Sequence, residues 1–144
     1  MPQQSGFSLI EVLVALVILA FGLLGVAAMQ LKSLQSASAG YQRSMASVAA
    51  IDAQELIWSL LANNPDCTAI DSGSVEENWR DEWSRDTSSN PLREAHWNSS
   101  GISGPDPDCE FRVTIVLGAS PDEGEPTVFE YYFRLPNFAD NHQL

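Results

Sequence analysis

The sequence predicts an α+β fold, in which one long N-terminal helix with a hydrophobic first half packs on a small antiparallel β-sheet. Residues 12–29 contain no charged side chain, and no proline interrupts residues 7–64. Two segments near the C-terminus alternate apolar and polar residues with the period of two that is typical of strands. A single long helix followed by a hairpin is therefore the simplest architecture.

The apolar run at 12–29 is long enough to span a membrane as a helix. A cleaved signal peptide is the alternative, because Val26, Ala27 and Ala28 form a weak small-residue cleavage pattern. However, the residues before the run contain no Lys or Arg, and Glu11 stands at its head. Both features are unusual in a signal peptide. A soluble core helix would need a polar face, so we predict a retained hydrophobic helix.

The second half of the helix is predicted to be amphipathic and to back a globular head. Its apolar residues recur at spacings of three and four, at Leu31, Leu34, Ala37, Tyr41, Met45 and Val48. Asn63–Pro65 is a strong stop signal. Gly22 and Gly25 either let the helix bend during assembly or permit close helix–helix approach.

Residues 66–108 are predicted to be mostly loop, with one short helix at 75–85. Trp79 and Trp83 lie one turn apart in that helix. They predict a face that packs on the long helix, and a platform for carbohydrate or a partner protein is the alternative.

The two predicted strands are 109–118 and 127–136, joined by a hairpin connection at 119–126. Their apolar faces consist of Phe111, Val113, Ile115 and Leu117 in the first and Phe129, Tyr131, Phe133 and Leu135 in the second. Since two strands alone are marginally stable, a third element or the long helix must cover this face.

Composition and motifs argue against several classes of function. The chain has 7 Lys and Arg against 19 Asp and Glu, a formal net charge of −12, which disfavours nucleic-acid binding. His96 and His142 are isolated, and the acidic turns at 106–108 and 122–125 lack EF-hand spacing. No catalytic motif is recognisable. We therefore expect no enzyme activity, no cofactor, no metal and no nucleic-acid partner.

The segment "GFSLIEVLVALVILA" resembles the type III signal of type IV pilins and pseudopilins. The longer "GFSLIEVLVALVILAFGLLG" is most similar to minor pilins of the PilV type, the type IV pilus modification proteins. The resemblance implies a pilin-like fold with a leader at 1–6, a transmembrane or filament-core half-helix at 7–29, an amphipathic half-helix at 30–62 and a periplasmic head at 63–144.

Processing and assembly residues follow from this resemblance. A prepilin peptidase would cut between Gly6 and Phe7 and N-methylate the new terminus at Phe7. Glu11 of one subunit would then pair with the Phe7 amine of a neighbour and set the register of the helix bundle. The alternative is that Glu11 simply lies at the level of the lipid headgroups.

The orientation rests on the resemblance and on the cysteines, because the leader lacks the usual basic residue. Counting Lys32 and Arg43 would favour the opposite orientation. Cys67 and Cys109 would most often stay reduced in a cytosolic protein, but in a periplasm they are the only intramolecular pair. Heads tied by a disulfide are common among pilins, so a bond between these two residues is expected.

The expected function is that of a minor pilin in pilus assembly or priming. The protein would be a single-pass inner-membrane protein with a periplasmic C-terminal head, later moved into the pilus or its tip complex. Expected partners are other minor pilins, the major pilin, the prepilin peptidase, the inner-membrane assembly platform and inner-membrane lipid. The alternatives are a minor pseudopilin of a type II secretion system and a membrane-anchored periplasmic binding protein that does not polymerise.

Overall fold

The computed structural model describes residues 8–119, 124 and 126–139 and confirms the predicted α+β architecture. The helices are α1 at Leu9–Leu61 and α2 at Gly73–Trp83, and the strands are β1 at Gly101–Ser103, β2 at Glu110–Ala119 and β3 at Pro126–Arg134. The chain divides into two compact units, a first that ends at Ser38 and a second that begins at Ala39. Helix α1 contributes residues to both.

In the second unit, α1 is buried along a stripe of mostly small residues. The stripe consists of Ala46, Ala49, Ala50, Ala53, Ile57 and Leu61, which recur at helical spacing on one face. The apolar repeat that makes this half amphipathic in the sequence is not the buried face, since Tyr41 and Val48 are exposed. The alanines form the packing face because their short side chains let bulky rings of the head approach the helix backbone.

Helix α2 supplies two of the aromatic rings next to α1. The Trp79 indole is buried and donates a hydrogen bond from Nε1 to the Ala49 carbonyl at 2.8 Å. Trp83 donates from Nε1 to Asp52 Oδ2 at 2.9 Å. This confirms the predicted packing face on the long helix. The helix begins and ends two residues earlier than the sequence predicted.

The sheet has three antiparallel strands in the order β1-β2-β3. Phe111, Val113, Ile115 and Leu117 of β2 are buried, as predicted. On β3 only Phe133 is buried in the strand itself, where its ring stacks on Phe111 with a centroid separation of 5.4 Å. The short strand β1 was not predicted. It places Ile102 opposite Val113 and so provides the third element that a stable sheet requires.

A charged pair that the sequence analysis missed fixes β1 to α2. Arg80 forms an ion pair with Glu76 one turn earlier and donates to the Ser100 carbonyl at 2.9 Å. The other Glu76 oxygen accepts the Ile102 backbone N–H at 3.0 Å. Gly101 lies directly beneath, where an added Cβ would meet Glu76 Oε1 at 3.1 Å. The pair was hard to foresee because β1 itself has no sequence pattern beyond three residues.

Cys67 and Cys109 are joined by a disulfide, as expected from the sequence, with their Cα atoms 5.7 Å apart. The bond ties a short 3₁₀ turn after α1, at Cys67–Ala69, to the residue before β2. Asp66 caps that turn by accepting hydrogen bonds from the Thr68 hydroxyl at 2.7 Å and the Thr68 N–H at 2.9 Å. These bonds, the side-chain one first, lower the pKa of the Asp66 carboxyl.

Candidate functional site: the start of the N-terminal helix

Glu11 lies in the first turn of α1. The Ser8 carbonyl accepts the Glu11 N–H at 3.0 Å and the Val12 N–H at 3.4 Å, and these bonds begin the helix. A carboxylate in the first turn is favoured by the positive end of the helix dipole. Gly6 and Phe7, the residues expected at the processing site, lie outside the described residues.

The groove beside Glu11 is lined by apolar side chains. Ile10, Val14, Ala15 and Ile18 line this open groove of ≈ 360 Å³. Across residues 8–31 Glu11 is the only charged side chain, and it has no ion pair or hydrogen bond from its side chain to any residue that the structure describes. A cation is therefore needed if this surface is covered by another apolar helix, because an unpaired buried charge is strongly destabilising.

The rest of α1 in the first unit has no apolar partner among residues 8–38, the part of that unit that the structure describes. Large side chains from Leu9 to Leu34 are exposed, from 48% at Val12 to 78% at Leu9. The most apolar window of the helix has a mean hydropathy of 2.9 and is 0% buried. By length and composition α1 can cross a membrane.

Two glycines give this surface places for close approach. Apart from neighbouring residues and the backbone of its own helical turn, a Cβ added at Gly22 or Gly25 would meet no atom within 4 Å. Small residues on an open apolar helix allow another helix backbone to come near. This is consistent with the interpretation of the glycines as contact points.

Other predicted features belong to the second unit. Cys67 and Cys109 form its disulfide, and Trp79 is part of its core rather than an exposed platform. The isolated His96 is exposed and directly precedes a short 3₁₀ helix at Trp97–Ser99, while His142 lies outside the described residues. Sequence reasoning missed an exposed apolar and acidic face on α1 around Glu55. The signal for this face in the sequence was a large apolar residue that recurs every seven positions. The alanines and the amphipathic stripe expected on this half of the helix drew attention away from that repeat.

Comparison with known families identifies the start of the chain. Residues 1–27 match the model of the prokaryotic N-terminal methylation motif. A comparison with curated proteins and with solved structures found no significant match. The motif, the long apolar helix that follows it and the small antiparallel sheet together support a type IV pilin-like protein.

Proposed function

We propose that this protein is a minor pilin of a type IV pilus system, of the PilV type. The observation that carries the proposal is the continuity of two features. A methylation motif over residues 1–27 leads into a helix whose apolar surface is uncovered and bears a single carboxylate at Glu11. A helix of this kind suits a subunit that rests in lipid and later exchanges lipid for other helices.

Processing supplies the cation that Glu11 lacks. Cleavage between Gly6 and Phe7 by a prepilin peptidase creates a charged, N-methylated amine at the new terminus. When subunits bundle, the Phe7 amine of one lies against Glu11 of the next. Since either charge alone is costly in an apolar bundle, only the axial register that pairs them is tolerated.

The head is suited to the far side of an inner membrane. The Cys67–Cys109 disulfide persists in an oxidising compartment and is rare in the cytosol. In this proposal the protein is a single-pass inner-membrane protein with a periplasmic head. It then moves, through the assembly platform, into a complex with other minor pilins and the major pilin.

The test is Glu11→Ala, measured as the amount of this protein in sheared filaments relative to its amount in membranes. Membrane insertion should be unchanged or improved, because removal of a carboxylate lowers the cost of burying that end of the helix. Incorporation should fall, because the Phe7 amine then enters the bundle without a counter-charge.

Glu77→Ala is the matched control. It removes an exposed carboxylate from α2 and should leave incorporation unchanged. If Glu11→Ala incorporates as well as the wild type and filament number is unchanged, Glu11 is only an interfacial residue and the proposed pairing is wrong.

A further inference from the structure

The second unit exposes a row of large apolar side chains on α1, opposite its buried alanine stripe. Tyr41, Val48, Ile51 and Trp58 are 57%, 49%, 44% and 41% exposed. Tyr41 and Val48 are one heptad apart, and so are Ile51 and Trp58, while Val48 and Ile51 differ by three. This is the spacing of the a and d positions of a helix–helix seam, in which Ser44 takes the first d position. The spacing indicates that a helix is the occupant of this face.

One position of the seam holds a carboxylate. Glu55 follows Val48 by one heptad and therefore takes the next a position, between Ile51 and Trp58. It is exposed and has no ion pair or hydrogen bond from its side chain to the described part of the chain. A second helix laid on the seam would enclose this charge, so that helix must bring a cation.

Two further carboxylates flank the seam. They are those of Asp52 and Glu82. Both line an open groove of ≈ 420 Å³ together with Val48, Ile51, Glu55 and Trp83. Asp52 accepts the Trp83 indole N–H, and Glu82 pairs with Arg85 at 2.6 Å. Only Glu55 is thus left without a partner within the groove, and it is the residue that selects what binds there.

We propose that this seam binds an amphipathic helix of a different subunit, with a Lys or Arg opposite Glu55. The inference rests on the proposed function, because it names the kind of neighbour that the subunit takes in an assembly. Apolar residues of the partner would cover Val48, Ile51 and Trp58. Its cation would pair with Glu55 in surroundings from which water is excluded, where such a pair discriminates strongly between partners.

A second copy of this chain does not fit the seam. Between residues 33 and 79 the only basic side chain is Arg43. It takes position c of the heptad that begins at Tyr41, and it therefore lies off the seam. Two copies in parallel register would place Glu55 against Glu55, in a chain whose formal net charge is −12. Like charges at such positions oppose association, so the surface favours a heteromeric contact.

The test uses the full-length protein in nanodiscs that each hold one copy. Two synthetic helical probes, about three heptads long, carry Leu at a and d and differ only at a central a position, which is Lys or Glu. We expect the Lys probe to bind at least about tenfold more tightly than the Glu probe, because a close pair of opposite charges favours association and a pair of like charges opposes it.

Variants at the seam make the assignment specific. Glu55→Lys should reverse the preference between the probes, and Glu55→Gln should remove most of it. Glu77→Lys, the same charge change at an exposed position on α2, should leave the preference as in the wild type. Ile51→Ser should weaken binding of the Lys probe without reversing the preference.

Three results would overturn the inference: no binding of either probe to the wild type, equal binding of both, or a preference unaffected by Glu55→Lys. Self-association of the wild-type chain between nanodiscs would overturn it as well. None of these measurements involves the Gly6–Phe7 bond or Glu11. Failure here would therefore leave the proposed function standing, and an unprocessed chain could still bind the Lys probe.

Discussion

The two parts of helix α1 differ in what covers them. Before Ser38 the large apolar side chains are exposed, and the described residues of that unit offer nothing to pack against. After Ala39, alanines at four positions are fully buried among aromatic and aliphatic residues of the head. The first part is rich in Leu, Val and Ile, whereas the buried face of the second is built mainly from the smallest apolar side chain.

This contrast separates two uses of apolar residues in one helix. Large side chains present wide apolar surface to a solvent or partner outside the chain, so they suit lipid and bundled helices. Small side chains bring the helix backbone close to the head, so that Trp79 can reach the Ala49 carbonyl at 2.8 Å. The membrane-capable part is therefore marked by large apolar side chains that no described residue covers, and the head by small side chains that pack closely against aromatic and aliphatic residues.

The largest effect expected in the head comes from Trp79→Ala. It removes a buried indole that donates to Ala49 and packs edge-on against Trp97 at a centroid distance of 5.5 Å. We expect a loss of about 3–5 kcal/mol in the free energy of unfolding. Trp58→Ala, at an exposed position of α1, should cost less than about 1 kcal/mol.

The measurement is urea unfolding of the full chain in detergent micelles, followed by far-UV circular dichroism. Equal losses for the two tryptophan variants would show that Trp79 does not anchor the head to α1.

A second prediction compares the same alanine-to-leucine change in the two parts of α1. Ala53→Leu forces extra volume into the fully buried stripe and should lower the free energy of unfolding of the head by about 1–3 kcal/mol. Ala20→Leu makes the same change in the exposed apolar part and should leave head stability within about 0.5 kcal/mol of the wild type. The same unfolding assay measures both variants. A stabilised Ala53→Leu variant would mean that the packing around the stripe leaves enough space for the larger side chain.

Some elements of this fold can be predicted from the sequence and others cannot. The long helix and the pairing of β2 with β3 follow from strong local signals, an uninterrupted apolar run and a period of two. The disulfide was expected because the resemblance to pilins implies an oxidising compartment, in which the two cysteines are the only intramolecular pair. The buried face of α1 does not, because Tyr41 and Val48 are more hydrophobic than Ala49 and Ala53 and draw attention to the wrong side. Which face of α1 is buried is instead set by its close approach to Trp79, and that contact joins residues that are distant in the sequence.

The residues with proposed or structural roles also differ in how far the sequence reveals them. The role of Glu11 rests on the resemblance to pilins and stays a prediction, and the structure places this residue in the first turn of α1. Strand β1 and the Glu76–Arg80 pair that fixes it were missed, since three residues carry too little pattern to predict a strand. Glu55 was missed because the proposed partner of its carboxylate belongs to another subunit.

The smallest expected effect is the pH dependence of the cap at the disulfide. The pKa of Asp66 is lower in the folded state, chiefly through the Thr68 hydroxyl. Its contribution to stability is therefore complete above the unfolded-state value of about 3.9 and is lost as the pH falls through the lower folded-state value. Asp66→Asn should have a slightly lower thermal midpoint than the wild type at neutral pH.

The difference between Asp66→Asn and the wild type should shrink as the pH falls below about 4. Thermal scans of both proteins across this range test the prediction. A difference that is independent of pH would show that the charge of Asp66 does not contribute to the cap.

The most direct test of the account is the identity of the mature N-terminus. If α1 is a retained, processed pilin-type helix, mass spectrometry of the protein purified from its native membranes should find a chain that starts at N-methylated Phe7. That result follows from the methylation motif at residues 1–27 and from the uncovered apolar surface that begins at Leu9. A mature chain that starts near Met29 would show that the apolar part is a cleaved signal peptide and would contradict the account.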